Sequence, residues 1–206
     1  FKLGEIETNI KNIWPEGKDE RKLVAILWKL LLDLNGEDFK NNIISYIDGE
    51  NMTLSKAALS SFQKIDSIYR NKASKIFYNK WKTNNIVLDT WFSFSASIES
   101  DNSFSSLETL FNHELFDFKS PNTLRSILNG FASNNILFHD KDGRGYKYIG
   151  EKIVKYDKVN PIIISRFLKI FSRWNSYIEP YKSKMLDTLN FIDSHELSNN
   201  SREVIN

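Results

Sequence analysis

The residues with the most chemical potential are two arginines, Arg125 and Arg166, set 41 positions apart. Each lies a few residues into a segment that begins in the same way, Ser120-Pro121-Asn122 and Asn160-Pro161. A capping residue before a proline at the first helical position starts a helix. The cap's side-chain oxygen accepts an orphan backbone N–H, and proline gives up no hydrogen bond there. In the first helix Leu124, Ile127, Leu128 and Phe131 form the core stripe, while Asn122, Arg125 and Asn129 take another face. In the second, Ile163, Phe167, Ile170, Phe171 and Trp174 form the core stripe, and Ile162, Arg166, Lys169 and Arg173 share a different face. Neither polar face carries an acid. Two guanidinium groups pointing the same way from neighbouring helices can hold an anion such as a carboxylate. Spacing alone leaves a second reading open, two solvated surface arginines, the usual fate of charged side chains.

Other chemistry is easier to exclude. A zinc site of the His-Glu-x-x-His type needs two imidazoles one helical turn apart. The three histidines include His113-Glu114 and His195-Glu196, and neither pair is followed by the second histidine. There is no cysteine, which removes disulfides, thiolate ligands and thiol nucleophiles, and which is compatible with a cytoplasmic protein. Asp140, Asp142, Gly145 and Glu151 occupy positions 1, 3, 6 and 12 of a calcium loop, but Arg144 stands where an oxygen ligand belongs. That stretch reads as an Asp-Gly turn feeding a helix. His139, beside Phe138, reads as a hydrogen-bonding structural residue, and Trp81, Trp91 and Phe92 as packing between helices.

The elements that must position the arginines are helical. With 41% hydrophobic and 14% aromatic residues, the chain can build a core without staples. A net charge of +2 gives no field that argues for nucleic acid, and no apolar run has the length of a membrane span. Leu23, Ile26, Leu27, Leu30, Leu31 and Leu34 fall on one helical stripe, closed by Asn35-Gly36. Further helices are expected over 37–47, 53–67, 72–82, 86–99, 104–113, 121–133, 146–157, 161–174 and 180–192, with a short one over 198–204. No segment alternates as a strand does. First helices of successive pairs begin near 20, 53, 86, 121 and 161, spacings of 33, 33, 35 and 40 residues. Such spacing approaches that of HEAT and armadillo repeats. The expected fold is therefore all-α, an irregular superhelical solenoid of stacked antiparallel helix pairs, forming one domain over 1–206. Residues 1–18 are expected to be the tail of a preceding hairpin.

Three motifs narrow this further: PN-x-x-RS-x-x-x-x-F at Pro121 to Phe131, FH-x-x-DG-x-GY at Phe138 to Tyr146, and NP-x-x-x-SR at Asn160 to Arg166. Together with Asn51-Met52-Thr53 and the run from Lys80-Trp81 through Asp89 to Trp91-Phe92, they closely resemble the C-terminal helical domain of the bacterial-type aminopeptidase N of the M1 zinc metallopeptidases. The resemblance implies a C-terminal fragment of an enzyme that removes N-terminal residues from peptides with one zinc ion. The zinc ligands and the Gly-x-Met-x-Asn motif for the substrate amine would lie upstream, so this fragment itself binds no metal and has no catalytic residue. Its partners would be the catalytic domain of the same polypeptide and short peptides. The resemblance also implies that Arg125 and Arg166 project into the internal chamber, and that Ile162 reaches the pocket for the substrate's N-terminal side chain. Family members often carry glutamine at the position of Ile162. A stand-alone HEAT-like scaffold that binds proteins is the alternative from a different functional class.

Overall fold

The structure is a computed structural model that describes residues 18–65, 67–100 and 102–205. Among the described residues there are twelve α-helices, two 3-10 turns and no strand. The helices are α1 Lys18–Leu31, α2 Glu37–Ile47, α3 Met52–Ser61, α4 Ser67–Trp81, α5 Asn85–Ala96 and α6 Ser103–Phe111. They continue as α7 Pro121–Ala132, α8 Asn135–Phe138, α9 Arg144–Tyr156, α10 Pro161–Leu168, α11 Tyr181–Asp193 and α12 Asn199–Ile205. Of the expected tail of a preceding hairpin, residues 1–17 lie outside the described residues, and Lys18 already opens α1. Contacts group into two compact units, one ending at Phe94 and the other beginning at Ser95, so the division falls inside α5.

In the first unit α1 packs on α3 and α2 on α4, first helices on first helices and second on second. That is the layering of a helical-hairpin solenoid. Asn51 opens α3 with its side chain accepting from the backbone N–H groups of Thr53 and Leu54. The phase of α1 differs from the expected stripe. Val24, Trp28, Leu31 and Leu32 are buried, whereas Leu23, Ile26, Leu30 and Leu34 are exposed. The helix is apolar on two faces, and the face carrying the indole turns inward, where Trp28 meets Tyr46 with ring centres 4.9 Å apart.

In the second unit α7 packs on α10 and α9 on α11, while α12 closes over α10. The core gathers Leu124, Ile127, Leu128 and Phe131 of α7 with Tyr146, Ile149 and Ile153 of α9 and Ile164, Leu168 and Phe171 after Pro161. Two glycines make the α8–α9 junction possible. Gly143 adopts a left-handed φ of 75°. At Gly145 a Cβ would lie 2.3 Å from the Leu137 carbonyl oxygen, so only glycine lets α9 begin against the end of α8. The terminal helix is fixed by Asp157, a buried carboxylate that accepts from the Ser198 N–H and from the hydroxyls of Ser198 and Ser201. The helix expected over 161–174 is shorter: it ends at Leu168 and tightens into 3-10 turns at Lys169–Phe171 and Trp174–Ser176.

Candidate functional site

Helices α7 and α10 are neighbours, as the 41-residue offset required. Their first turns are linked in a way that the capping pattern did not foretell. The Ser120 hydroxyl does accept from the Thr123 N–H at 3.5 Å, as expected of a cap. Asn160 makes no side-chain cap. Its buried amide instead donates to the Phe118 carbonyl at 2.6 Å. This bond ties the start of α10 to the loop entering α7. It fixes the two helices at their N-termini, one turn before each arginine.

Between the helices lies a cleft of about 320 Å³. Its walls are Arg125, Asn129 and Ala132 from α7, Ile163, Arg166 and Phe167 from α10, and Ile170 from the following 3-10 turn. Both arginines therefore line one cavity, and no acid lines it with them. Arg125 donates to the Asn122 side-chain oxygen at 3.0 Å, a contact between successive turns that holds the guanidinium over the helix. Neither arginine makes an ion pair among the described residues. The arrangement is two exposed, uncompensated cations over an apolar floor. It suits a small anion or the charged end of a molecule with an apolar body.

Ile162 sits on the first turn of α10, one turn from Arg166 and 57% exposed, and it does not line this cleft. Of the expected polar faces, Lys169 and Arg173 are exposed but lie outside the cleft too. Conversely Ile163 and Ile170, assigned to the core stripe by periodicity, form cleft walls instead. Asn129, four residues after Arg125 on the same face, is the wall residue whose position was legible.

The residues present do not fit a zinc ion. Among the described residues no group of three His, Cys, Asp or Glu side chains converges. The calcium-like loop is occupied from within. Asp140 accepts from Arg144 at 2.6 Å and from the Asp142 N–H at 2.8 Å, so the would-be first ligand caps its own turn. No helix among the described residues is long and apolar enough to cross a membrane.

An all-helical chain of paired helices, with an arginine-lined cleft in its second unit, is the class that this geometry defines. The profile of the family described as "Domain of unknown function (DUF3458_C) ARM repeats" matches residues 7–206, and the chain belongs to that family. It is 29% identical over 160 residues to aminopeptidase N of Haemophilus influenzae, covering 75% of this chain and 18% of that protein. With aminopeptidase N of Escherichia coli it shares 31% over 139 residues, 67% of this chain and 16% of that protein. A solved aminopeptidase A of Legionella pneumophila, in complex with aspartic acid, superposes with a TM-score of 0.82 at 26% identity. That match covers 98% of this chain and 26% of the other. The chain thus corresponds to the C-terminal ARM-repeat part of M1 aminopeptidases, and it spans less than a fifth of the two curated relatives named here.

Proposed function

We propose that this chain is the C-terminal helical domain of a zinc aminopeptidase that removes N-terminal residues from peptides in the cytoplasm. In this reading the domain closes the chamber over a catalytic domain of the same polypeptide, which holds the zinc. It admits short peptides and keeps folded proteins out. The chain alone contributes no metal ligand and no catalytic group. Arg125 and Arg166 face the chamber and meet the C-terminal carboxylate of the peptide. Ile162 contributes an apolar contact to the pocket for the first side chain. The observation that carries this reading is the acid-free cleft that Arg125 and Arg166 share, on a chain similar over most of its length to known aminopeptidases.

A charge-assisted contact to a carboxylate is worth about 1.5–3 kcal/mol, roughly ten- to a hundredfold in affinity. In the whole enzyme, Arg125→Ala or Arg166→Ala should therefore lower kcat/KM about tenfold or more for short peptides with a free C-terminus. The same peptides amidated at the C-terminus should lose much less, and a small aminoacyl-anilide least. Equal losses on all three substrates would assign the arginines to folding or domain docking.

A further inference from the structure

The second unit carries another cleft, of about 790 Å³, whose chemistry is opposite to that of the arginine cleft. We propose that it binds the guanidinium group of an arginine side chain presented by a peptide. The cleft is lined by Asn135, His139, Asp140, Asp142, Tyr177 and Tyr181, together with the flanking Ile136 and Lys141. Its volume is in the range of ligand sites.

Three features select a flat cation. The first is an aromatic wall. The His139 ring stacks on Tyr177, centres 5.2 Å apart and planes 28° apart, and meets Tyr181 edge-on at 6.3 Å. Tyrosine faces attract cations, and a guanidinium can lie flat against one where an ammonium cannot. The second feature is charge. Asp140 is committed to Arg144 at 2.6 Å; Asp142 feels the same guanidinium at longer range but is within ion-pair distance of no cation among the described residues. Its carboxylate and the Asn135 amide oxygen can accept the forked donors of a guanidinium. Lys141 carries the opposing charge, but it is exposed on a flexible stem, and its ammonium can swing into water. The third feature is rigidity. The His139 Nδ1 and the Tyr146 hydroxyl lie 2.6 Å apart, and the imidazole also contacts Phe138, ring centres 4.9 Å apart. The turn beneath it is held by Gly143 in its left-handed conformation and by the Asp140 side chain. Little conformational freedom is left to lose when a ligand arrives. Burial pushes the His139 imidazole below its ordinary pKa, so the ring stays neutral at physiological pH and does not repel a cation.

Ile136 lines the same cleft and supplies a reporter. The whole protein, labelled with ¹³C at its isoleucine δ1 methyl groups, is titrated with Nα-acetyl-L-arginine amide and watched by NMR. The Ile136 signal is assigned through Ile136→Val. The blocked amine keeps the probe from acting as a peptidase substrate. The Ile136 signal should move saturably. Nα-acetyl-L-citrulline amide, equal in shape but uncharged, should bind at least about tenfold more weakly. Asp142→Asn and Tyr177→Ala should each weaken the arginine probe several-fold while the remaining isoleucine signals stay in place. No movement of Ile136, equal affinity for the two probes, or unchanged affinity in both variants would overturn the proposal. The two probes are compared on the unaltered protein, so the test stands even where a variant fails to fold. Its outcome is independent of the arginine cleft, which has the wrong charge for this probe.

Discussion

Lys152 is a buried cation, and its surroundings predict which partner matters more. Its side chain is 8% exposed, with Nζ bonded to the Glu108 carboxylate and lying 4.6 Å from the Phe111 ring centre and 4.8 Å from that of Tyr148. Glu108 is 47% exposed. Burial pushes the Glu108 carboxyl up, but the hydrogen bond from Lys152, the nearby Tyr148 hydroxyl and the positive charges of Lys152 and Lys155 together outweigh that, and the net pKa falls below the ordinary value. Two substitutions separate the partners. Lys152→Met keeps most of the stem's packing and removes the charge that had to be desolvated. It leaves behind a carboxylate that water can reach. The lost attraction and the relieved desolvation nearly cancel, so stability should change by about 1 kcal/mol or less. Glu108→Gln leaves an ammonium held out of water with no counter-charge. Breaking a buried pair costs about 3–5 kcal/mol. Here two ring faces and the amide oxygen still favour the cation, and the pair is open to solvent on one side. A loss of about 2–3 kcal/mol is expected. For a chain of this size that is a fall in Tm of about 4–12 °C. Urea denaturation of both variants measures it. The pH dependence has a definite sign. Because the folded pKa of Glu108 is depressed, its contribution is present above the ordinary value of 4.5 and lost as pH falls through the folded value. Glu108→Gln should remove that part of the acid sensitivity. A larger loss for Lys152→Met than for Glu108→Gln would refute the claim that ammonium burial decides the balance.

Two further outcomes follow from the α8–α9 junction. Gly145→Ala places a Cβ 2.3 Å from one backbone carbonyl oxygen and 2.5 Å from another, at Leu137 and Phe138. The helices must separate, and a loss of about 3 kcal/mol or more is expected in thermal melting; an unchanged Tm would show that α8 can slide freely. His139 has a depressed folded pKa, so its contribution is complete above the unfolded value of 6.5 and declines as pH falls from there toward the folded value. Urea midpoints at pH 7.5 and 5.5 should therefore differ less in His139→Gln than in the unaltered protein, and equal differences would contradict the assignment.

Much of the second unit could be read from the sequence because its signals agree with one another. Ser120-Pro121 and Asn160-Pro161 place the starts of α7 and α10, and their spacing puts the two helices side by side. What failed did so for identifiable reasons. In α1, apolar residues occupy two faces, and periodicity cannot say which of them turns inward; the face that does is the one that carries Trp28. No glycine or proline lies between Leu168 and Trp174, so nothing in the sequence marks the tightening of α10 into 3-10 turns. The four-residue α8 is shorter than a helical period can register. At the site itself the two arginines were legible because charge on a non-core face stands out. The walls Ile163 and Ile170 were not, because a cleft wall and a core residue share the same composition. The Asn160 amide was misassigned for a related cause. An asparagine before a proline can cap its own helix or reach a neighbour, and only the approach of the Phe118 carbonyl selects the second.

In the proposed function one cleft meets the peptide, and a crystal structure of the full-length protein with a slowly hydrolysed short peptide tests that most directly. The peptide's C-terminal carboxylate should lie within charge-assisted hydrogen-bond distance, about 2.7–2.9 Å, of the Arg125 or Arg166 guanidinium. Its first residue should lie at the zinc. A peptide whose carboxylate ends elsewhere in the chamber, with both arginines turned to bulk solvent, would contradict the account.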